Sequence, residues 1–134
     1  MRYLMLLSGT NPATPPPPEL FEAIMKLGGE ATQAGVMLDT AGLLPSAAGA
    51  RVTLSEGQLT VTDGPFTESK EVLGGYWMID VPSRQAAIEW ASKCPASENE
   101  IIEIRQVQEM SDFSEELQQV AAGFTEMQNK AAQR

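Results

Sequence analysis

Apolar positions recur along this chain in two rhythms, one of strands and one of helices. Residues 2–8 (Arg2-Tyr3-Leu4-Met5-Leu6-Leu7-Ser8) are mostly apolar and stop at Gly9, which predicts a buried first strand. Pro15 to Pro18 form a run that favours a stiff polyproline II path, and the last proline suits the first position of a helix. Leu20, Ile24, Leu27, Ala31 and Ala34 then recur at helical spacing and predict a helix over about 19–34. Gly28-Gly29 weakens its middle or marks close packing, and Gly35 stops it. Val36 to Leu44 reads as a second strand containing Asp39. Two β-prone runs, 51–54 and 58–62, flank Ser55-Glu56-Gly57 as a hairpin. Asp63-Gly64-Pro65-Phe66 is a turn, and 72–81 the next strand, where Gly74-Gly75 predicts a bulge or a close approach. A second helix is predicted over 83–93, with Ser83 as N-cap and Ala87, Ile88, Trp90 and Ala91 facing inward. Ile102 and Ile104 alternate with Glu103 and Arg105 in a half-exposed last strand over 101–107. A third helix is expected after Asp112, with Glu115 completing a capping box. Phe113, Leu117, Val120, Phe124, Met127 and Ala131 would form its narrow apolar seam.

The order β-α-β, hairpin, β-α-β, helix is that of an α+β, ferredoxin-like domain, an antiparallel sheet with helices on one face only. The hairpin should attach to that sheet. Strands such as Leu4–Leu7 and Trp77–Val81 are apolar on both sides, so the uncovered face also needs burial. A second copy of the chain is the expected cover, and the partner expected is the protein itself, as a homodimer. The competing account is a monomer whose C-terminal helix folds back over its own sheet.

Composition narrows the function. The 134 residues suit one domain, read as a core over 1–110 with a helical extension over 111–134. The net charge of −9 disfavours a nucleic-acid surface and adsorption to anionic membranes. More than half of that excess falls in residues 98–134, which read as a solvated acidic end. No apolar run reaches transmembrane length, and the first residues do not resemble a signal peptide, so a cytoplasmic protein is expected. The single cysteine, Cys94, excludes an intramolecular disulfide and reads as structural. Histidine is absent, which removes the commonest general base and the commonest metal ligand. No cofactor and no metal are expected: there is no phosphate-binding loop, dinucleotide fingerprint or Cys/His metal spacing.

The run Thr62-Asp63-Gly64-Pro65-Phe66-Thr67-Glu68-Ser69-Lys70-Glu71, followed by Leu73-Gly74-Gly75-Tyr76, resembles the signature of the YCII-related (DGPF) family. The opening Met1 to Leu6, the stretch Ala34 to Leu43 and Ala86 to Ala91 are similar as well, so the resemblance spans roughly Met1 to Met110. It implies a ferredoxin-like fold pairing through its sheets into a dimeric α+β barrel. It implies no settled activity: some relatives are compared with muconolactone-isomerase-like enzymes, and some lie near or are fused to sigma factors. The shorter relatives carry a His–Asp pair proposed as catalytic, which a chain without histidine does not possess. The proline run and the helix after Ser111 also depart from the family's common core.

Two carboxylates are candidate general bases. Asp63 sits between a strand and a Gly-Pro turn, where it either points into a cleft or caps the turn through the following amides. Asp39 lies among Val36, Met37 and Leu38, so it is costly and functional if it faces inward and of little meaning if it faces out. Candidate ligand contacts are Arg51 for an anion, Glu68 and Lys70 in a charged loop, and the Tyr76 hydroxyl. Each has a plain alternative: an edge-strand arginine, a solvated loop, a core aromatic. A pocket is expected between the sheet and segment 63–71. Three functions stand open: a cofactor-independent enzyme of isomerase or lactone type using a carboxylate base, a non-catalytic module binding a small organic ligand or serving regulation, and a purely structural interaction domain.

Overall fold

The computed structural model describes residues 1–9, 17–64, 72–95 and 100–133. Its elements are β1 (Arg2–Gly9), α1 (Pro18–Gln33), β2 (Met37–Gly42), β3 (Ala50–Ser55), β4 (Gln58–Asp63), β5 (Val72–Asp80), α2 (Arg84–Lys93), β6 (Ile101–Gln106), α3 (Glu115–Val120) and α4 (Phe124–Ala132). The first prolines of the run and the stretch from Pro65 to Glu71 lie outside the described residues.

Local chemistry explains the helix ends. Pro18 opens α1, where a missing N–H costs nothing. Gly35 closes it at φ 73°, and the Val36 N–H then bonds the Ala31 carbonyl at 2.9 Å. Ser83 caps α2 by accepting the Ala86 N–H at 3.1 Å.

Four strands form one sheet in the order β2-β5-β1-β6, with every neighbouring pair antiparallel. This is the ferredoxin-like order. Across the central ladder Tyr3 faces Ile79 and Met5 faces Trp77. These four side chains are buried with Leu27 and Ala31 of α1 and Ala87 of α2, so both helices cover the same face. Gly28 lies over Trp77, where an added methyl group would make ordinary contact at 3.9 Å, whereas Gly29 faces open space. The opposite face carries Leu4, Leu6, Tyr76 and Met78, and no helix of the described residues seals it.

Gly74 is the bulge residue of β5: Leu7 pairs with Gly75, but Ser8 pairs with Leu73. Gly75 answers the second expectation, close approach, because a methyl group there would stand 2.9 Å from the Ala41 carbonyl of β2.

Two expectations need correction. The hairpin is not part of the main sheet: β3 and β4 pair only with each other, as a separate two-stranded ribbon. Its tip turns through Glu56 and Gly57 at φ 51° and 78°, the backbone a tight hairpin demands. At its root a 3-10 turn over Ser46–Ala48 lies so close to Gly64 that any side chain there would strike the Ser46 carbonyl. The third helix is not continuous either. Gly123, at φ 99°, separates α3 from α4, since a left-handed residue ends one helix before the next begins. Ser114, not Asp112, caps α3 by accepting the Leu117 N–H at 3.3 Å. Asp112 instead closes a capping box with Glu109 around a 3-10 turn.

Arg2 and Glu109 form a two-pronged ion pair at 2.8 and 3.0 Å, tying the segment after β6 back to β1. The hydrogen bonds from Arg2 hold the Glu109 carboxyl below the usual carboxylate range. Its contribution to stability is therefore present above about pH 4.3 and lost as the pH falls through the lowered value. Glu109→Gln should lower the melting temperature at neutral pH, and the difference from the parent should close in acid.

The glycines give a second test by chemical denaturation. Gly29→Ala, in an open helix interior, should stabilise by about 1 kcal/mol. Gly75→Ala should destabilise by about 1–3 kcal/mol, because the backbone of β2 has to move away.

Candidate functional site

The site begins with a register error in β2. Met37 pairs with Ile79 on the helix-covered face, and strict alternation would put Asp39 on that face too. Leu38 is an extra residue, so Asp39 pairs with Met78 and joins the open face. The choice between an inward and an outward Asp39 is thus decided by one bulge.

On the open face Asp39 meets Tyr76. The Tyr76 hydroxyl donates to Asp39 Oδ2 at 3.0 Å, and the Thr40 N–H donates to Asp39 Oδ1 at 2.8 Å. Tyr76 pairs across the ladder with Ala41, so the aspartate is its diagonal neighbour, within reach of a tyrosine lying along the sheet. The Thr40 hydroxyl donates in turn to the Tyr76 carbonyl at 3.1 Å, fastening β2 to β5 beside the pair. Accepting its hydrogen bond, Asp39 raises the Tyr76 phenol above its usual value, with the carboxylate's charge adding to the effect. Tyr76 therefore keeps its proton and acts as a donor.

Apolar and charged residues frame the pair. Leu4 lies opposite Met78 and Leu6 opposite Tyr76, and beyond them β6 presents Arg105 and Glu103 on the same rows. Arg105, Leu4, Leu6 and Met78 were not among the residues singled out from the sequence. The alternation in β1, β5 and β6 contains the signal, but it becomes a shared surface only once the strand order is known.

The other candidates fall elsewhere. Asp63 and Arg51 belong to the ribbon, on neighbouring rungs opposite Ala50 and Thr62, and so on its two different faces. Glu68 and Lys70 lie outside the described residues, as does most of segment 63–71 and with it the expected pocket. A shallow apolar depression does occur between α2 and β6, lined by Ile88, Ala91, Ser92, Ile102 and Ile104, and neither candidate aspartate reaches it. Cys94 is buried, and burial first, then the charge of Glu100, pushes its thiol up, away from nucleophilic use.

The family model described as the YCII-related domain matches residues 1–111. The chain is also 41% identical over 59 residues to the uncharacterized protein R00369 of Rhizobium meliloti (strain 1021), covering 44% of this chain and 48% of the relative. The match thus spans about half the length of that relative. Among the described residues, no helix is long and apolar enough to cross a membrane.

The hydrogen bond can be read in solution. The chain has two tyrosines, so Tyr3→Phe leaves Tyr76 as the only phenol. Its phenolate absorbance should rise with a midpoint above the ordinary value of about 10. Asp39→Asn should bring that midpoint down. Since the folded-state value is raised, the bond's contribution to stability is present below pH ~10 and lost as the pH climbs through the raised value.

Proposed function

The chain belongs to the YCII-related family, and on that premise we propose that its open sheet face binds a small organic molecule against the Asp39–Tyr76 pair. The single observation carrying this reading is the Tyr76 hydroxyl held at 3.0 Å from Asp39 on the face that also carries Leu4, Leu6 and Met78. A few convergent polar groups on an apolar ground are the usual make-up of a small-molecule site.

The reaction class we propose is cofactor-independent proton transfer of isomerase or lactone type. With no histidine in the chain, the proton falls to carboxylate and phenol. A carbonyl compound lying on the face draws the Tyr76 proton toward its oxygen, where negative charge builds up. Asp39 Oδ2, released from that hydrogen bond, accepts a proton from the adjacent carbon. Arg105, on the same face, suits a carboxylate on the ligand, while Arg2 is engaged by Glu109. Glu68 and Lys70 from the loop, and Arg51 and Asp63 from the ribbon, remain proposed contributors.

We further propose a homodimer in which two open sheet faces close on each other. The apolar seam of α3 and α4 does not do this from within one chain: Leu117, Val120, Phe124 and Met127 stay 43–81% exposed. A second reading, binding without turnover as in a regulatory module, draws support from the exposure of Asp39, since catalytic carboxylates are ordinarily tuned by burial.

Incubating the protein with a panel of γ-lactones and the corresponding unsaturated acids, followed by NMR, tests the proposal. Turnover by the parent, reduced at least ~100-fold by Asp39→Asn and by Tyr76→Phe with the mass in solution unchanged, supports the enzyme. Saturable binding without turnover supports the module, and neither binding nor turnover overturns the site. Light scattering at micromolar concentration should give twice the chain mass.

A further inference from the structure

The β3–β4 ribbon is built like part of a core and lies in water. Val52 pairs with Val61 and Leu54 with Leu59, so all four side chains share one face, each 66–73% exposed. Arg51, Thr53, Thr60 and Thr62 occupy the other face. Asp63, at the root, is the only charge that the pairing puts on the apolar side. A two-stranded ribbon alone is marginal in water. This one nevertheless has a six-rung ladder, a tight turn with two left-handed residues and a root locked at Gly64 by backbone packing, where the Gly64 N–H also bonds the Gly49 carbonyl at 3.0 Å. Such a ribbon is shaped to be held against something.

We infer that the ribbon is a dimer arm, whose apolar face packs on a second copy of this chain beside the partner's sheet. The inference rests on the homodimer of the preceding reading and extends it. Exposed apolar surface points to a second copy: Val52, Leu54, Leu59 and Val61 on the ribbon and Leu117, Val120, Phe124 and Met127 on the α3–α4 seam stand 43–81% exposed, more apolar surface than a monomer usually leaves in water. A single two-fold axis lets one encounter cover the ribbon, the open sheet face and the α3–α4 seam. The apolar face carries no positive charge that would suit nucleic acid or an anionic lipid surface. Placement ties the arm to the candidate site. Gly42, the last residue before the chain leaves for the ribbon, pairs with Gly75, one rung from Ala41 and Tyr76.

Leu54→Thr with Leu59→Thr tests the arm, because threonine keeps the strand preference while removing the apolar face. With tryptophan fluorescence and circular dichroism showing an intact fold, the dimer dissociation constant should rise at least a hundredfold in sedimentation equilibrium. The control Thr53→Ser with Thr60→Ser, on the opposite face, should leave it unchanged. A parent dimer with an unaltered constant in the double threonine variant overturns the arm and leaves the sheet-to-sheet dimer standing. A monomeric parent overturns both. If the variant does not fold, amide exchange of the parent decides. Protection across 50–63 that strengthens with protein concentration supports the arm, and concentration-independent protection means that the ribbon folds onto its own chain.

Discussion

The ladder between β1 and β5 sets Tyr3 against Ile79 and Met5 against Trp77 on one side, and Leu4 against Met78 and Leu6 against Tyr76 on the other. Both strands are apolar on both faces, so this pairing creates two hydrophobic surfaces at once. α1 and α2 cover the first with Leu27, Ala31 and Ala87. Met5 and Ile79 are completely enclosed there, and deleting either side chain would leave a cavity no neighbour could fill. The second surface is left open, and the candidate site, the proposed dimer and the proposed arm all depend on it.

Two bulges, one on each side of β5, set the registers around this ladder. The one at Leu38 moves Asp39 across the sheet, and the one at Gly74 shifts the start of β5 against β1. Without the first, a carboxylate would press into the layer of Trp77 and Ile79, where burying a charge unpaired is costly. With it, the same carboxylate stands beside a tyrosine hydroxyl. The hydrogen bond fixes their roles, because a phenol that donates to a carboxylate holds its proton more tightly and serves as donor while the carboxylate serves as acceptor.

Outside the core, apolar side chains stand exposed on one side of the ribbon and along the α3–α4 seam, and also at Phe21 and Met25 of α1 and at Leu43 and Leu44 after β2. A net charge of −9 makes copies of the chain repel one another at long range. The association proposed above therefore relies on close apolar contact where charges are few, such as the face of the ribbon formed by Val52, Leu54, Leu59 and Val61. The Arg2–Glu109 pair anchors the acidic C-terminal segment to β1 and leaves its helices outside the core.

Much of the fold was legible in the residue pattern. Local rules act within a few residues, and they located the strands, Pro18 and Gly35 at the ends of α1, the Ser83 cap and the bulge at Gly74-Gly75. The same rules failed at Gly123, because a seam with unbroken helical spacing does not reveal that one glycine adopts φ 99° and divides the helix. They also attached the ribbon to the sheet, since hydrophobic alternation shows that two strands pair but not that Gly64 and Ser46 meet and turn the pair away. Of the candidate residues, Asp39 and Tyr76 were both visible as chemistry, but separated by 37 positions, and nothing in their spacing joins them. By itself the sequence determined where most strands and helices lie, that one sheet face would lack a helical cover, and that no histidine is available to this chain. Only the tertiary structure decided that the carboxylate and the phenol share a face, because that depends on strand order and on a single inserted residue in β2, which set long-range register rather than local preference.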